Sequence, residues 1–158
     1  MVPDTVDNYL RLVEDAFLFY RARRLALRSK ATLKTNDKFY LTDLGFRSLL
    51  YGLGLSDLGR LVENVVHVEL RRRGWQVSVG KYGAGEVDFV AAKPEGGTHY
   101  FQVTASMLDD ATAARELAPL RAIPDQHPKT VRSLDEVARR DYDGIAHLNL
   151  IDFLLGPQ

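Results

Sequence analysis

Three oxygen-bearing side chains, Glu63, Asp88 and Gln102, sit where a folded chain could gather them. Asp88 belongs to an apolar run over residues 87–92, and Gln102 to a second run over 100–105. The segment Lys93-Pro94-Glu95-Gly96-Gly97 separates the two runs. Runs that short, with Val, Phe, Tyr and Thr, predict paired strands, and the Pro and Gly cluster predicts the turn between them. Side chains two apart on a strand share a face, so Glu86 goes with Asp88, and Gln102 with Thr104. Glu63 comes from a helical stretch upstream. Hydrolysis of a phosphodiester by a hard cation needs two or three oxygen ligands converging on Mg²⁺, and a Lys to hold the attacking water. Glu63 on a helix, Asp88 in a strand and a residue of the neighbouring strand would supply the oxygens. The bland alternative is an ordinary sheet surface.

The elements that would position these groups follow from the periodicity. Residues 5–17 predict an amphipathic helix, with Val6, Leu10, Val13 and Phe17 at spacings of four, three and four, and Asp4 or Thr5 as its cap. Residues 17–27 and 34–41 read as two short strands. Arg21, Arg23, Arg24, Lys30 and Lys34 are packed through them. A helix followed by a basic ribbon is what the trailing part of a winged helix looks like, which makes these five residues candidates for contacting nucleic acid. The alternative is a short helix and hairpin packing on the main domain.

Residues 43–53 predict a short helix, and Ser56 would cap a longer one ending near Arg73, with Gly74 as its stop. Its stripe is Leu58, Leu61, Val62, Val65, Val66 and Leu70, and Glu63 borders that stripe. Arg71, Arg72 and Arg73 suit the helix C-terminus. His67 beside the stripe reads as a packed histidine. Residues 75–82 alternate as a strand, and Gly80, Gly83 and Gly85 read as a loop. Residues 109–123 predict a helix with Arg115 and Glu116 on its polar side. Residues 129–134 and 145–155 read as further strands, with a turn at 141–144. The sum is an α/β sheet of about five strands flanked by helices.

Composition sets bounds. A chain of 158 residues with 46% apolar content suits one domain with a small attachment. It contains no Cys, which excludes disulfides and thiolate chemistry and fits a cytoplasmic setting. No signal peptide and no membrane-length apolar run is visible. The net charge is zero, but residues 1–74 hold 13 Lys and Arg against 9 Asp and Glu, and residues 75–158 hold 8 against 12. A neutral total argues against strong non-specific nucleic-acid binding and leaves room for a local contact. The histidines at 99, 127 and 147 lack zinc spacing, and no serine sits in a Gly-x-Ser-x-Gly elbow.

A helix Glu, then Val87-Asp88-Phe89, then Tyr100-Phe101-Gln102-Val103-Thr104 in the next strand resembles the PD-(D/E)XK nuclease fold. More closely, residues 40–156 resemble the C-terminal domain, of uncharacterised function, of prokaryotic AAA+-type ATP-binding proteins. Phe39-Tyr40-Leu41-Thr42-Asp43-Leu44-Gly45, Leu61-Val62-Glu63-Asn64, Gly85-Glu86-Val87-Asp88-Phe89-Val90, Arg115-Glu116-Leu117 and Asn149-Leu150-Ile151-Asp152-Phe153-Leu154 carry that likeness, together with the Gln102 strand. The resemblance implies a restriction-endonuclease-like domain over 43–158, preceded over 1–42 by a partial winged-helix-like segment.

It places Glu63 on the helix carboxylate and Asp88 on the first metal-binding carboxylate. Gln102 and Thr104 fall on the two ends of the Glu-x-Lys element. Gln weakens the pull on a divalent ion, and Thr cannot supply the charge of Lys beside a developing phosphorane. The implied catalytic set is therefore degenerate: Glu63, Asp88, Gln102 and Thr104, with Glu63, Asp88 and Gln102 around Mg²⁺ or Mn²⁺ if the site is active. No Gly-x-x-x-x-Gly-Lys-Ser/Thr loop occurs, so the chain carries no ATP site of that type. The expectation is a non-catalytic binding or regulatory module, with DNA as a candidate partner. Two alternatives are a metal-dependent phosphodiesterase and an interaction domain that docks on an ATPase.

Overall fold

In the computed structural model, residues 3–33, 37–52, 57–136 and 140–156 are described. The elements run α1 (Pro3–Asp15), β1 (Phe19–Ala22), β2 (Arg24–Ala26), β3 (Ala31–Thr32), β4 (Lys38–Leu41), α2 (Gly45–Tyr51) and α3 (Leu58–Arg72). Then come β5 (Gln76–Tyr82), β6 (Gly85–Lys93), β7 (Gly97–Val103), α4 (Asp110–Ala122), β8 (Lys129–Ser133), β9 (Arg140–Tyr142), β10 (Ile145–Asn149) and α5 (Leu150–Leu155). The fold is mixed α/β. An eight-stranded sheet in the order β3-β2-β5-β6-β7-β8-β10-β9 carries helices, and β1 and β4 form a separate antiparallel ribbon.

The sheet is wider than the five strands expected. β2 and β3, from the segment 1–42, extend one side, with β2 pairing parallel to β5. β9, paired with the expected β10, extends the other. The strand expected over 17–27 divides into β1 and β2, while β3 and β9, of two and three residues, give little periodic signal and escape a sequence reading.

Strand alternation divides the core between the two faces. Phe89, Ala91, Phe101 and Val103 pack with Val62, Val66 and Leu70 of α3. Val90, Tyr100 and Val131 pack with Leu117 and Leu120 of α4. Each Val, Leu or Phe among them, fully buried, stabilises the fold by about 1.5–3 kcal/mol. Gly80 lies inside β5, not in a loop, and glycine suits the position because a Cβ there would stand 2.8 Å from Val90 Cγ2. Gly85 likewise opens β6.

Other expectations shift for local reasons. Residues 145–155 are not one strand: Asn149 Oδ1 accepts from the Asp152 N–H at 3.0 Å, capping α5 and ending β10. Asp4 and Thr5 lie within α1, which begins at Pro3. Ser56 falls outside the described residues; Asp57 precedes α3, and its carboxylate is drawn to Arg47 instead of capping. Glu116 is on the buried face of α4, whereas Ala111 and Ala114 are exposed. Gly74 (φ 79°) ends α3 as expected, and Asp143-Gly144 (φ 57° and 87°) makes the expected turn.

The ribbon is seated on α3 by one amide. Asn64 Oδ1 accepts from the Leu41 N–H, and Asn64 Nδ2 donates to the Leu41 carbonyl, both at 2.8 Å. The side chain thus acts as a strand partner for the free edge of β4. His67, one turn on, is buried and stacked on Tyr40 at 4.1 Å. Burial, and then the charge of Arg71, depresses its pKa to about 3, so it is neutral. Asn64→Ala leaves Leu41 with two unpaired backbone groups. It is expected to destabilise the chain by about 1–3 kcal/mol, read as a lowered urea midpoint with an unchanged slope.

Candidate functional site

Lys38 and Tyr40 are two apart on β4 and so face the same way, toward α3. Both meet Glu63. Lys38 Nζ donates to Glu63 Oε1 at 3.0 Å, and the Tyr40 hydroxyl donates to the same oxygen at 2.6 Å. Lys38 Nζ also lies 3.1 Å from Glu86 Oε1 and 3.9 Å from Asp88 Oδ1. One ammonium therefore stands among three carboxylates drawn from a helix and a strand. Arg24 of β2 binds the other oxygen of Glu86. Burial and the adjacent Glu63 carboxylate push the Tyr40 phenol well above its usual range, so it stays protonated and donates to Glu63.

A break in the sheet brings Asp88 here. β5 and β6 pair Ser78 with Val90 but Gly80 with Val87, so Asp88 and Phe89 together oppose Val79. This is a β-bulge in β6, and bulges re-aim side chains. The β6–β7 ladder runs from Lys93↔Gly97 to Phe89↔Phe101 and then ends. Beyond it Asp88 Oδ2 accepts from the Val103 N–H at 2.9 Å, and Gln102 Oε1 accepts from the Asp88 N–H at 3.3 Å. Side chains thus replace the backbone ladder where the strands part. The Asp88 side chain is 13% exposed. Burial, and then the charge of Glu63, pushes its pKa up to about 7, against the opposing pull of the Val103 N–H and Lys38.

On the other side of the fork, Gln102 Nε2 donates to Glu116 Oε2 at 2.9 Å. Arg115 binds Glu116 Oε1 at 2.9 Å while staying exposed itself. The expected surface pair is therefore half right. Arg115 faces solvent, and Glu116 is a buried carboxylate tied through Gln102 to Asp88. A depression of about 350 Å³ flanks the centre, with Lys38, Tyr40, Leu44, Arg47, Glu63 and Asn64 in its wall.

The structure thus draws Glu63, Asp88 and Gln102 to one place, linked by Lys38 and the strand fork. Thr104 is not brought in: it lies just past β7, and its hydroxyl donates to the Ser106 carbonyl at 3.3 Å. The sequence reading missed Lys38 and the Gln102–Glu116 link, while Glu86 meets Lys38 on the face it was expected to share with Asp88. The alternation Lys38-x-Tyr40 was the available signal for the first. Of the basic candidates, Arg21 lies within 3.8 Å of Asp7, Glu14 and Asp37, and Arg24 is bound to Glu86. Arg23 and Lys30 are exposed, and Lys34 lies outside the described residues.

The implied Mg²⁺ or Mn²⁺ does not fit these residues as they stand. The ammonium of Lys38 holds the point on which the carboxylates converge, and the Gln102 carbonyl oxygen is committed to the Asp88 N–H. Among the described residues, no group of three or more His, Asp or Glu side chains is arranged to hold a metal ion. A second polar cluster, Ser133, Asp135 and His147, is wholly internal. Ser133 Oγ lies 2.7 Å from His147 Nε2 and donates to Asp135 Oδ2 at 3.0 Å, while Asp135 also accepts from the Met107 N–H at 2.7 Å. It ties the segment after β7 to β8 and β10.

Among the described residues, no helix is long and apolar enough to cross a membrane. No family model matches the chain, and no solved structure matches it. The chain is 35% identical over 151 residues, or 96% of its length, to an "Uncharacterized protein" of Haemophilus influenzae, of whose length it spans 37%.

Proposed function

We propose that this chain is a non-catalytic binding or regulatory module on a restriction-endonuclease-like frame. In this reading it is related to the C-terminal part of AAA+-type ATP-binding proteins, and its nuclease-like centre has been closed. The order α3-β5-β6-β7-α4-β8 supports the frame, with Glu63 on the helix, Asp88 on the second strand and Gln102 on the third. The observation that carries the functional reading is the position of Lys38. Its charge sits among Glu63, Glu86 and Asp88, where a hydrolase would need a divalent cation. The lysine expected two residues after Gln102 is Thr104, turned away to Ser106.

Charge distribution bears on the partner. Arg21 and Arg24 are engaged by carboxylates, which lowers the number of cations available to phosphates. Exposed apolar side chains, in contrast, concentrate in the first third of the chain, with Leu49, Leu50 and Tyr51 of α2 at 83%, 74% and 82% exposure. α2 buries none of its residues. That pattern favours a protein partner over DNA.

The test is cleavage of plasmid and single-stranded DNA with Mg²⁺ and Mn²⁺, wild type beside Asp88→Ala. Neither protein is expected to cleave. Cleavage by the wild type that Asp88→Ala abolishes would replace this reading with a metal-dependent phosphodiesterase.

The same centre has a pH signature. Asp88 has a raised folded pKa, so its contribution is fully present below the unfolded value near 3.8 and is lost as pH rises through about 7. Asp88→Asn keeps an oxygen for the Val103 N–H and removes the charge. Denaturant melts should find it more stable than wild type by about 1 kcal/mol or more at pH 8, with the difference vanishing toward pH 4. An equal stability at both pH values would count against a strained carboxylate.

A further inference from the structure

We propose that the groove beside β4 takes an extended peptide, an acidic segment carrying an apolar side chain, which adds as a strand to the edge of β4 at Phe39. The inference rests on the binding-module reading above and names the chemistry of the partner.

The first observation is a free strand edge. In an antiparallel pair, residues alternate between those that bond their partner and those that point away from it. The Thr42 N–H donates to the Leu18 carbonyl at 3.2 Å, inside the ribbon, whereas Leu41 turns its N–H and C=O outward to Asn64. Phe39, two residues before Leu41, therefore turns its own N–H and C=O to that same outer side. Arg21, opposite Phe39, has the matching parity: its N–H leaves the far edge of the ribbon and donates to Glu14 at 3.3 Å. Among the described residues, nothing bonds the Phe39 N–H or C=O. One residue of an added strand satisfies both. Asn64 already holds the next pair, at Leu41, so the added strand stops there and its register is set.

The second observation is that this edge is fixed and faces a cavity. Tyr40 beside Phe39 is 5% exposed and stacked on His67, which anchors β4 in the core. The groove of about 350 Å³ has Phe39, Leu41, Leu44 and Leu61 as its apolar wall. That volume is at the small end of ligand pockets and suits a side chain or two of a peptide.

The third observation is charge. Lys38, Arg47 and Arg60 line the groove against the single carboxylate of Glu63. Glu63 engages Lys38 and Asp57 engages Arg47, but Arg60 is 85% exposed and 3.6 Å from the nearest Asp57 oxygen. The lip of the groove thus presents a guanidinium to solvent, and an acidic residue of the partner complements it.

The test selects random heptapeptides displayed on phage against the immobilised full chain, with the Arg60→Glu chain as counter-selection. The consensus peptide is then made with a fluorescent label and titrated into both chains, while the amide spectrum of the isotopically labelled wild type is followed in parallel. Selected peptides are expected to carry Asp or Glu within two residues of Leu, Ile, Val or Phe. Binding is expected to shift the Phe39 amide and the Asn64 side-chain amide, and to weaken at least about fivefold with Arg60→Glu. N-methylation of the peptide residue that pairs with Phe39 is expected to remove binding, an effect that a purely apolar contact would not show.

No enriched peptide, a basic consensus, or shifts confined to residues outside the groove would overturn the proposal. A Phe39 amide that moves with protein concentration in the absence of peptide would assign the groove to a second copy of the chain and overturn it as well. DNA cleavage by the wild type would instead remove the non-catalytic reading itself, so the two failures are distinguishable.

Discussion

The hydrogen bond from the Val103 N–H to the Asp88 carboxylate is the constraint around which the rest of the centre is arranged. A backbone donor in a sheet ordinarily meets a backbone carbonyl. Here a side chain takes that place, because the β6 bulge has turned Asp88 into the opening between β6 and β7. The strands then part, and Gln102 answers by bonding the Asp88 N–H. The sheet loses ladder bonds at this point, yet each freed group named here has a partner. A fork of this kind opens the interior to side chains from both helical layers. Glu63 enters from α3 and Glu116 from α4, so a carboxylate stands on each side of Asp88.

Gathering carboxylates in a partly buried place is unfavourable unless positive charge offsets them. Lys38 and Arg24 supply it from two different strands of the first forty residues. The segment that a sequence reading sets apart as an attachment thus provides the counter-charges of the centre, and β2 also extends the main sheet. Asp88 remains the least comfortable member. Its burial and the nearby Glu63 outweigh the Val103 N–H and Lys38. A carboxylate held under such conditions is unfavourable for stability in its charged form.

The outer surface divides in character. α3, α4 and the central strands bury their apolar faces thoroughly, whereas α1 and α2 leave Tyr9, Leu12, Leu49, Leu50 and Tyr51 exposed. A seven-residue helix that buries nothing has little to hold it in water, since short isolated helices are marginal.

Local patterns carried most of the central architecture. The paired strands around Pro94-Glu95-Gly96, the helix ending at Gly74 and the helix opened by Asp109 were legible because periodicity and caps act within a few residues. So were Glu63, Asp88 and Gln102 as residues that belong together. Lys38 was not legible as their counter-ion, being 25 residues from Glu63 and brought to it only by ribbon docking through Asn64. Nor was the Gln102–Glu116 bond, because helix α4 is weakly amphipathic and the two partners lie 14 residues apart. The sequence by itself determined which residues can bond and which elements they form. Tertiary structure decided which charges meet, because Coulomb interactions depend on distance in space, and no pattern along the chain records that distance.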